Sequence, residues 1–509
     1  MMTALDMQAV PPSSKFLLKL ALAVGIVALG DWLLYRQEKG ISLVLFLAIL
    51  VAVAFVMRPK GVSRRDAWIG AIFFVVALLP LMESVGLISV LFGILGTALA
   101  AVVVTGGLSR GWDAIAASMQ KLLLTGPFQI FPDMLRAGRE ARSQGRRWVR
   151  IEVLAGWIVP VLCGAIFIAL FASANPLIEQ WLSVFDITQQ DWEIDGVRLF
   201  GWVVLIAIAW PYISMRLCEK PLISRSMVNV NLPRIDDGNR FFGSAIILRS
   251  LVLFNLLFAV QTILDAVYLW GGASLPEGMS YAAYAHRGAY PLIVTALLAA
   301  AFVLVAMRPG GAGEQSPIIR RLVYLWVGQN VLLVISSILR LELYVDVYSL
   351  TLLRVAAFIW MLLVAVGLTL IMARIALGRS NGWLVGANVL ALALTLYICS
   401  FVNFAAVIAN HNLSYRHETM PGAVKPDITY IRKLGPHVIP AVDRYIARHN
   451  LPAFDCLVDW RNRVAQSHTW IMSDWRGWSF RDWRLQHYLA ASANAKKVSS
   501  ATSECLNYP

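Results

Sequence analysis

The sequence predicts an all-α fold: a polytopic helical membrane bundle of about eleven spans with a small helical C-terminal extramembrane domain. Three observations carry this reading. First, 59% of the 509 residues are apolar and 15% are charged, whereas soluble globular chains carry about 25% charged residues. Second, the mean hydropathy is +0.67. Third, the apolar residues fall in continuous blocks instead of alternating, which excludes a membrane β-barrel. Together these features exclude a soluble enzyme, a disordered chain and a nucleic-acid-binding domain.

The apolar blocks are 16–35, 41–57, 67–82, 86–107, 151–173, 199–216, 245–270, 289–307, 322–339, 350–373 and 383–409. At 1.5 Å per residue the shorter ones cross the bilayer core only with help from their flanks. Segment 67–82 is the weakest, because Pro80 and then Glu83 interrupt it. With 86–107 it is expected to form a tight hairpin. The first block follows Lys15 and Lys19 and leads into Asp31, Trp32 and Tyr35 with no small-residue cleavage site, so it reads as a retained span.

The basic residues orient the bundle. With the N-terminus inside, the inner segments hold 24 Lys and Arg and the outer loops hold five, a strong positive-inside bias. The net charge of +14 then sits at anionic lipid head groups, and no nucleic-acid partner is needed to explain it. An odd span count puts the tail outside. The expected organisation is a cytoplasmic N-terminus (1–15), four spans (16–107), a basic amphipathic cytoplasmic loop (108–150), seven spans (151–409), a Trp/Arg-rich periplasmic helical domain (410–496) and a disordered end (497–509). The expected location is a bacterial inner membrane.

In the loop 108–150, Arg136, Arg139, Arg142, Arg146, Arg147 and Arg150 share a polar face, while Phe128, Phe131, Leu135 and Trp148 suit lipid. This predicts an interfacial helix anchored on anionic head groups. The outer loop 174–198 clusters Glu179, Asp186, Asp191, Glu193 and Asp195 against Arg198, without metal-loop spacing. In the tail, Asp427 is expected to cap a helix that Gly435 ends. Helices 438–449 and 454–468 follow. Trp460, Trp470, Trp475, Trp478 and Trp483 crowd 24 residues, and Asp-Trp-Arg occurs three times, which suggests an interface belt or cation–π packing. The seven histidines all lie at or after His286, at no metal-ligand spacing. No cofactor is expected.

Ionisable groups inside spans are functional candidates by default. Asp31 and Arg249 lie near span ends, and Asp265 lies deeper. With His286, Arg287, Arg340, Glu342, Tyr344, Asp346, Tyr348, Arg354 and Asn403, Asp265 forms a candidate polar site at the outer ends of spans 7 to 11. The plainer alternative is a set of packing pairs, Arg340 with Asp346 or Arg354 with Glu342. Cys456 and Cys505 are the only cysteines of the tail, and a periplasmic tail would allow them to form a disulfide.

Three blocks carry a resemblance: Gly271–Gly278 with Tyr281–Phe302, Arg340–Trp360, and Leu434–Asp443. They resemble an uncharacterised group of bacterial multi-span proteins labelled domain of unknown function 4173, over about 240–450. The resemblance implies an integral membrane protein and supplies no catalytic residues. HExxH, P-loop and serine-nucleophile motifs are absent from the sequence. The leading reading is therefore a non-enzymatic transporter or sensor with an outward-facing polar site. The alternatives are an enzyme acting on lipid-linked envelope glycans and a scaffold. The small-molecule or glycan ligand is not specified by the chain.

Overall fold

The computed structural model describes residues 12–57, 63–106, 111–143, 196–214, 244–267, 298, 302, 316–414, 426–452 and 455–493. The expected spans 151–173 and 289–307 fall outside these residues, apart from positions 298 and 302. So do the acidic loop up to residue 195, His286, Arg287, Cys505 and the end 497–509.

The described residues are helical and contain no strand. In order, the helices are α1 (Pro12–Leu34), α2 (Ile41–Val56), α3 (Arg64–Glu83), α4 (Leu87–Gly106), α5 (Trp112–Gln120), α6 (Ile130–Ser143), α7 (Gly196–Ser214) and α8 (Ser244–Asp265). There follow α9 (Pro317–Tyr348), α10 (Leu352–Ala376), α11 (Asn381–Phe401), α12 (Phe404–Asn412), α13 (Ile428–Lys433), α14 (Ile439–His449), α15 (Cys456–Ile471) and α16 (Phe480–Ala493). Seven helices among the described residues, namely α3, α4 and α7 to α11, are long and apolar enough to cross a membrane. The helix α2 is a shorter apolar helix. The protein is a helical membrane bundle.

Helix ends follow the local sequence. The hydroxyls of Ser63, Thr351 and Ser380 accept backbone N–H groups at the starts of α3, α10 and α11, as N-caps do. The Asp427 carboxylate accepts the Tyr430 N–H at 2.9 Å, and Gly435 ends that helix region with φ +85°, as expected. The anticipated α3–α4 hairpin forms. It turns over 84–86, where Ser89 Oγ donates to the Ser84 carbonyl at 2.6 Å and accepts the Gly86 N–H at 2.8 Å. The two helices pack so closely that a Cβ on Gly96 would stand 2.1 Å from Ala77 Cβ.

The chain divides into two compact units. The first is Met1–Asn229 with Ile471–Arg481. Its core holds Leu50, Leu81, Leu122, Trp210 and Ile213. The loop after α4 docks here. Asp133 of α6 is buried, and its carboxylate accepts Trp210 Nε1–H of α7 at 3.2 Å and the Ser214 hydroxyl. Phe128 and Leu135 are exposed. At the other end of α7, Arg198 grips Asp31 of α1 with Nε at 3.1 Å and Nη2 at 2.6 Å, and Trp202 Nε1 donates to the same carboxylate at 2.8 Å.

The segment 471–481 of the tail belongs to this first unit. Ile41 N–H donates to the Trp478 carbonyl at 2.8 Å. The Arg476 guanidinium lies 4.6 Å over Trp32, and Trp475 packs on the same indole. Arg481 Nε bonds Glu83 Oε1 at 3.2 Å, with both side chains largely buried. The C-terminal loop therefore lies on the α1–α2 and α3–α4 turns.

The second unit is Val230–Trp470 with Asp482–Pro509. Its core joins α8, α9, α10 and α11 through Leu251, Trp326, Met361, Leu368 and Leu384. Phe254, Phe258 and Phe302 pack around Trp326 with ring centroids 5.2 to 5.8 Å away. The expected single span 383–409 is broken. Val402 is extended, and Asn403 restarts the chain as α12 by accepting the Ala406 N–H on Oδ1 at 3.1 Å. An asparagine side chain competes with the helical ladder in this way.

Candidate functional site

The site sits in the second unit, where α8 and α9 run side by side. Asp265 lies 21 residues past Ser244 and Arg340 lies 23 residues past Pro317, which is about 32 and 35 Å along each helix at 1.5 Å per residue. The two residues meet at matching heights. Arg340 Nη2 donates to Asp265 Oδ1, and the side chains are 6% and 1% exposed. Gln261, one turn earlier, donates Nε2–H to the same oxygen at 3.0 Å. A polar contact of the same helix pair lies lower down. Gln329 Nε2 donates to the Asn255 carbonyl at 3.2 Å, and Asn255 Nδ2 donates to the Leu322 carbonyl at 3.2 Å.

Two charges removed from water need each other. Leaving either alone in a low-dielectric site is costly. Arg340 finds Asp265 and not Asp346. The latter is six residues along α9, so it points to a different side of the helix. Asp346 is half-buried and Glu342 is exposed.

Above the pair, the 32-residue α9 extends about 48 Å, further than a hydrocarbon core of about 30 Å. Its last turns form a polar cap. Tyr344 and Tyr348 stack with centroids 4.9 Å apart, and the Arg354 guanidinium lies 4.5 Å over Tyr344. Arg354 Nη1 donates to the Tyr348 carbonyl at 2.7 Å and to the Ser349 carbonyl, which satisfies carbonyls at the end of α9. Ser349 takes φ +70° to make this turn, an uncommon conformation outside glycine that surrounding contacts must hold. Arg354 therefore serves the turn itself, not an ion pair with Glu342.

The tail supplies those contacts. Asn412, at the end of α12, accepts the Leu350 N–H on Oδ1 at 2.7 Å and donates Nδ2–H to the Leu350 carbonyl at 2.9 Å. The Leu352 N–H donates to Tyr430 Oη at 2.8 Å. Arg448 Nη1 donates to the Leu413 carbonyl at 3.0 Å. Sequence reasoning missed Asn412 and Tyr430. The only signal for Asn412 was a polar residue just past an apolar block, and Tyr430, well inside the tail, had none.

The expected site thus resolves into two described parts: the buried pair Asp265–Arg340 and the cap of Tyr344, Tyr348 and Arg354. Asn403 shapes the helix break that starts α12. Cys456 is exposed on the first turn of α15.

The tail helices of this unit carry their own network. Arg461 donates to both Asp443 oxygens at 2.7 and 2.8 Å, and Tyr488 Oη donates to Asp443 Oδ2 at 3.0 Å. Asp443 holds the Arg461 guanidinium protonated above its ordinary range. Burial, reinforced by the Asp443 charge, pushes the Tyr488 phenol up to about 12. A pKa raised in the folded state contributes stability that is present below the unfolded value of about 10 and lost as pH rises through the folded value. Stability is therefore expected to fall between about pH 10 and 12, and Tyr488→Phe is expected to flatten that fall. Alkaline melts of both proteins, with the tyrosinate difference spectrum, check this.

These features define a polytopic membrane protein with a charge pair buried between its spans. The chain belongs to the family described as domain of unknown function DUF4153, which matches residues 18–445. The match corrects the label 4173 inferred from three short blocks, since the family is uncharacterised in the same sense but is a different one. No curated protein matches the chain, and no solved structure does.

Proposed function

We propose that the chain is a transporter or sensor of a bacterial inner membrane, with an outward-facing polar site built on α8 to α12. The observation that carries the reading is the Asp265–Arg340 pair, fully buried between two spans. Intramembrane charges are rare and mark substrate paths or switching elements. The helix break at Val402–Asn403 supports the same reading, because broken helices supply unpaired backbone groups at binding sites.

The proposed orientation rests on the charge bias, and the contacts of the tail within each unit accord with it. In the first unit the tail loop 471–481 meets the α1–α2 and α3–α4 turns. In the second unit Asn412 and Tyr430 meet the α9–α10 turn. All three turns belong to the basic-poor side of the charge bias, which supports putting the tail on that side. It is the periplasmic one under the positive-inside rule. The loop 108–150 then faces cytoplasmic head groups.

A solute screen tests the function. Purified protein in nanodiscs is melted with a panel of amino acids, sugars, organic acids and inorganic ions. The double variant Asp265→Asn, Arg340→Gln is melted beside it, because it removes the charges while keeping hydrogen-bonding groups. A ligand is expected that raises the Tm of the native protein and leaves the double variant unshifted. Ligands that shift both equally would remove the pair from the site.

A further inference from the structure

We propose that His468 and Asp482 form a proton-operated latch at the base of the C-terminal loop 471–481. His468 lies in the last turn of α15, and Asp482 lies in the first turn of α16. The two residues therefore flank the loop. Asp482 Oδ1 stands 3.3 Å from His437 Nε2 and 4.0 Å from His468 Nε2.

The His468 side chain is 6% exposed. Its Nε2 is buried without a hydrogen-bond partner. A buried polar nitrogen without a partner is costly and calls for explanation. The explanation lies 4.0 Å away, just beyond bonding distance from a carboxylate. Uptake of a proton from solvent makes the ring cationic, with N–H on both nitrogens. A charge-assisted bond to Asp482 then closes the gap. Deprotonation releases the bond and returns the proton to solvent.

The surroundings are specific. From α16 the ring meets the Asp482 carboxylate, and from the turn before α14 it meets the His437 imidazole, with ring centroids 6.3 Å apart. The adjoining core is apolar: Ile439, Leu485 and Leu489 on Val464 and Ala465. Asp443, Arg461 and Tyr488 are bound to one another, and Arg481 bonds Glu83. Among the described residues no three His, Cys, Asp or Glu side chains are grouped to hold a metal ion.

Histidine is the side chain that ordinarily changes charge between pH 5 and 8. The latch closes in acid. It fastens the two ends of the loop 471–481.

Hydrogen exchange on the full chain in nanodiscs tests this, with rates corrected for the intrinsic effect of pH. Lowering the pH from about 8 to about 5.5 is expected to slow exchange across 469–481 by about tenfold in the native protein. His468→Gln and Asp482→Asn should each abolish the response while leaving the protein folded at pH 8, as judged by its helical content. His437→Gln should retain it. Equal pH responses in native protein and His468→Gln would overturn the proposal. So would faster exchange in acid, or a response lost in His437→Gln and kept in His468→Gln.

Discussion

Arg340→Leu is expected to destabilise the protein by about 3–5 kcal/mol, because it takes the Arg340 counter-charge away from a buried carboxylate. The Asp265 and Arg340 side chains are 1% and 6% exposed, so little water reaches them to compensate. Gln261 can still donate to Asp265, but a neutral amide replaces little of a guanidinium. The double variant Asp265→Leu, Arg340→Met removes both charges and is expected to recover most of the lost stability, since a buried pair is often no better than well-packed apolar residues. Thermal melts of the purified proteins measure both effects. A single variant as stable as the native protein would show that the pair is hydrated. A double variant with recovered stability and abolished ligand response separates the functional role of the pair from its packing role.

Gly40→Ala is expected to release the C-terminal loop. A Cβ at Gly40 would stand 2.3 Å from the Gly477 carbonyl carbon and 2.5 Å from both the Gly477 and Trp478 oxygens. All three obstacles are backbone, so no side chain can rotate aside. The bond from Ile41 N–H to the Trp478 carbonyl, 2.8 Å long, is expected to break with the contact. The cost of such overpacking is about 3 kcal/mol, concentrated in the docking of 471–481. Gly201→Ala is the control, because its Cβ meets nothing within 4 Å. Limited proteolysis should cut Gly40→Ala near Trp475–Trp478 while the native protein and Gly201→Ala resist. Native resistance in Gly40→Ala would contradict the docked arrangement.

Much of the bundle was legible because its causes are local. Continuous apolar blocks demand internally bonded helices, whatever their partners. Pro80 and Glu83 marked the α3–α4 hairpin, and Asp427 and Gly435 marked the ends of a tail helix, since caps act within a few residues. Asp265 and Arg340 stood out individually as charges within or beside spans. Their pairing was not legible, since it depends on how α8 and α9 register across 75 residues of chain. The helix break at Val402–Asn403 had one local sign, an asparagine able to cap, inside a run otherwise apolar enough to read as one span. The docked loop had none. Gly40 and Gly477 contribute by lacking a side chain, and absence of bulk carries no pattern until the partner backbone is known. For Asn412, two bonds to the Leu350 backbone are likewise a tertiary event.

The proposed polar site opens to the side bearing the tail, and that side is proposed to be the outside. Membrane-impermeant maleimide labelling of intact cells tests both at once. The five native cysteines are replaced by serine, and single cysteines are placed at Tyr348, in the cap above Asp265–Arg340, and at Leu257, on the exposed apolar face of α8. Tyr348→Cys is expected to be labelled from outside in intact cells, and Leu257→Cys is not. Labelling of Tyr348→Cys only after the membrane is permeabilised would contradict it.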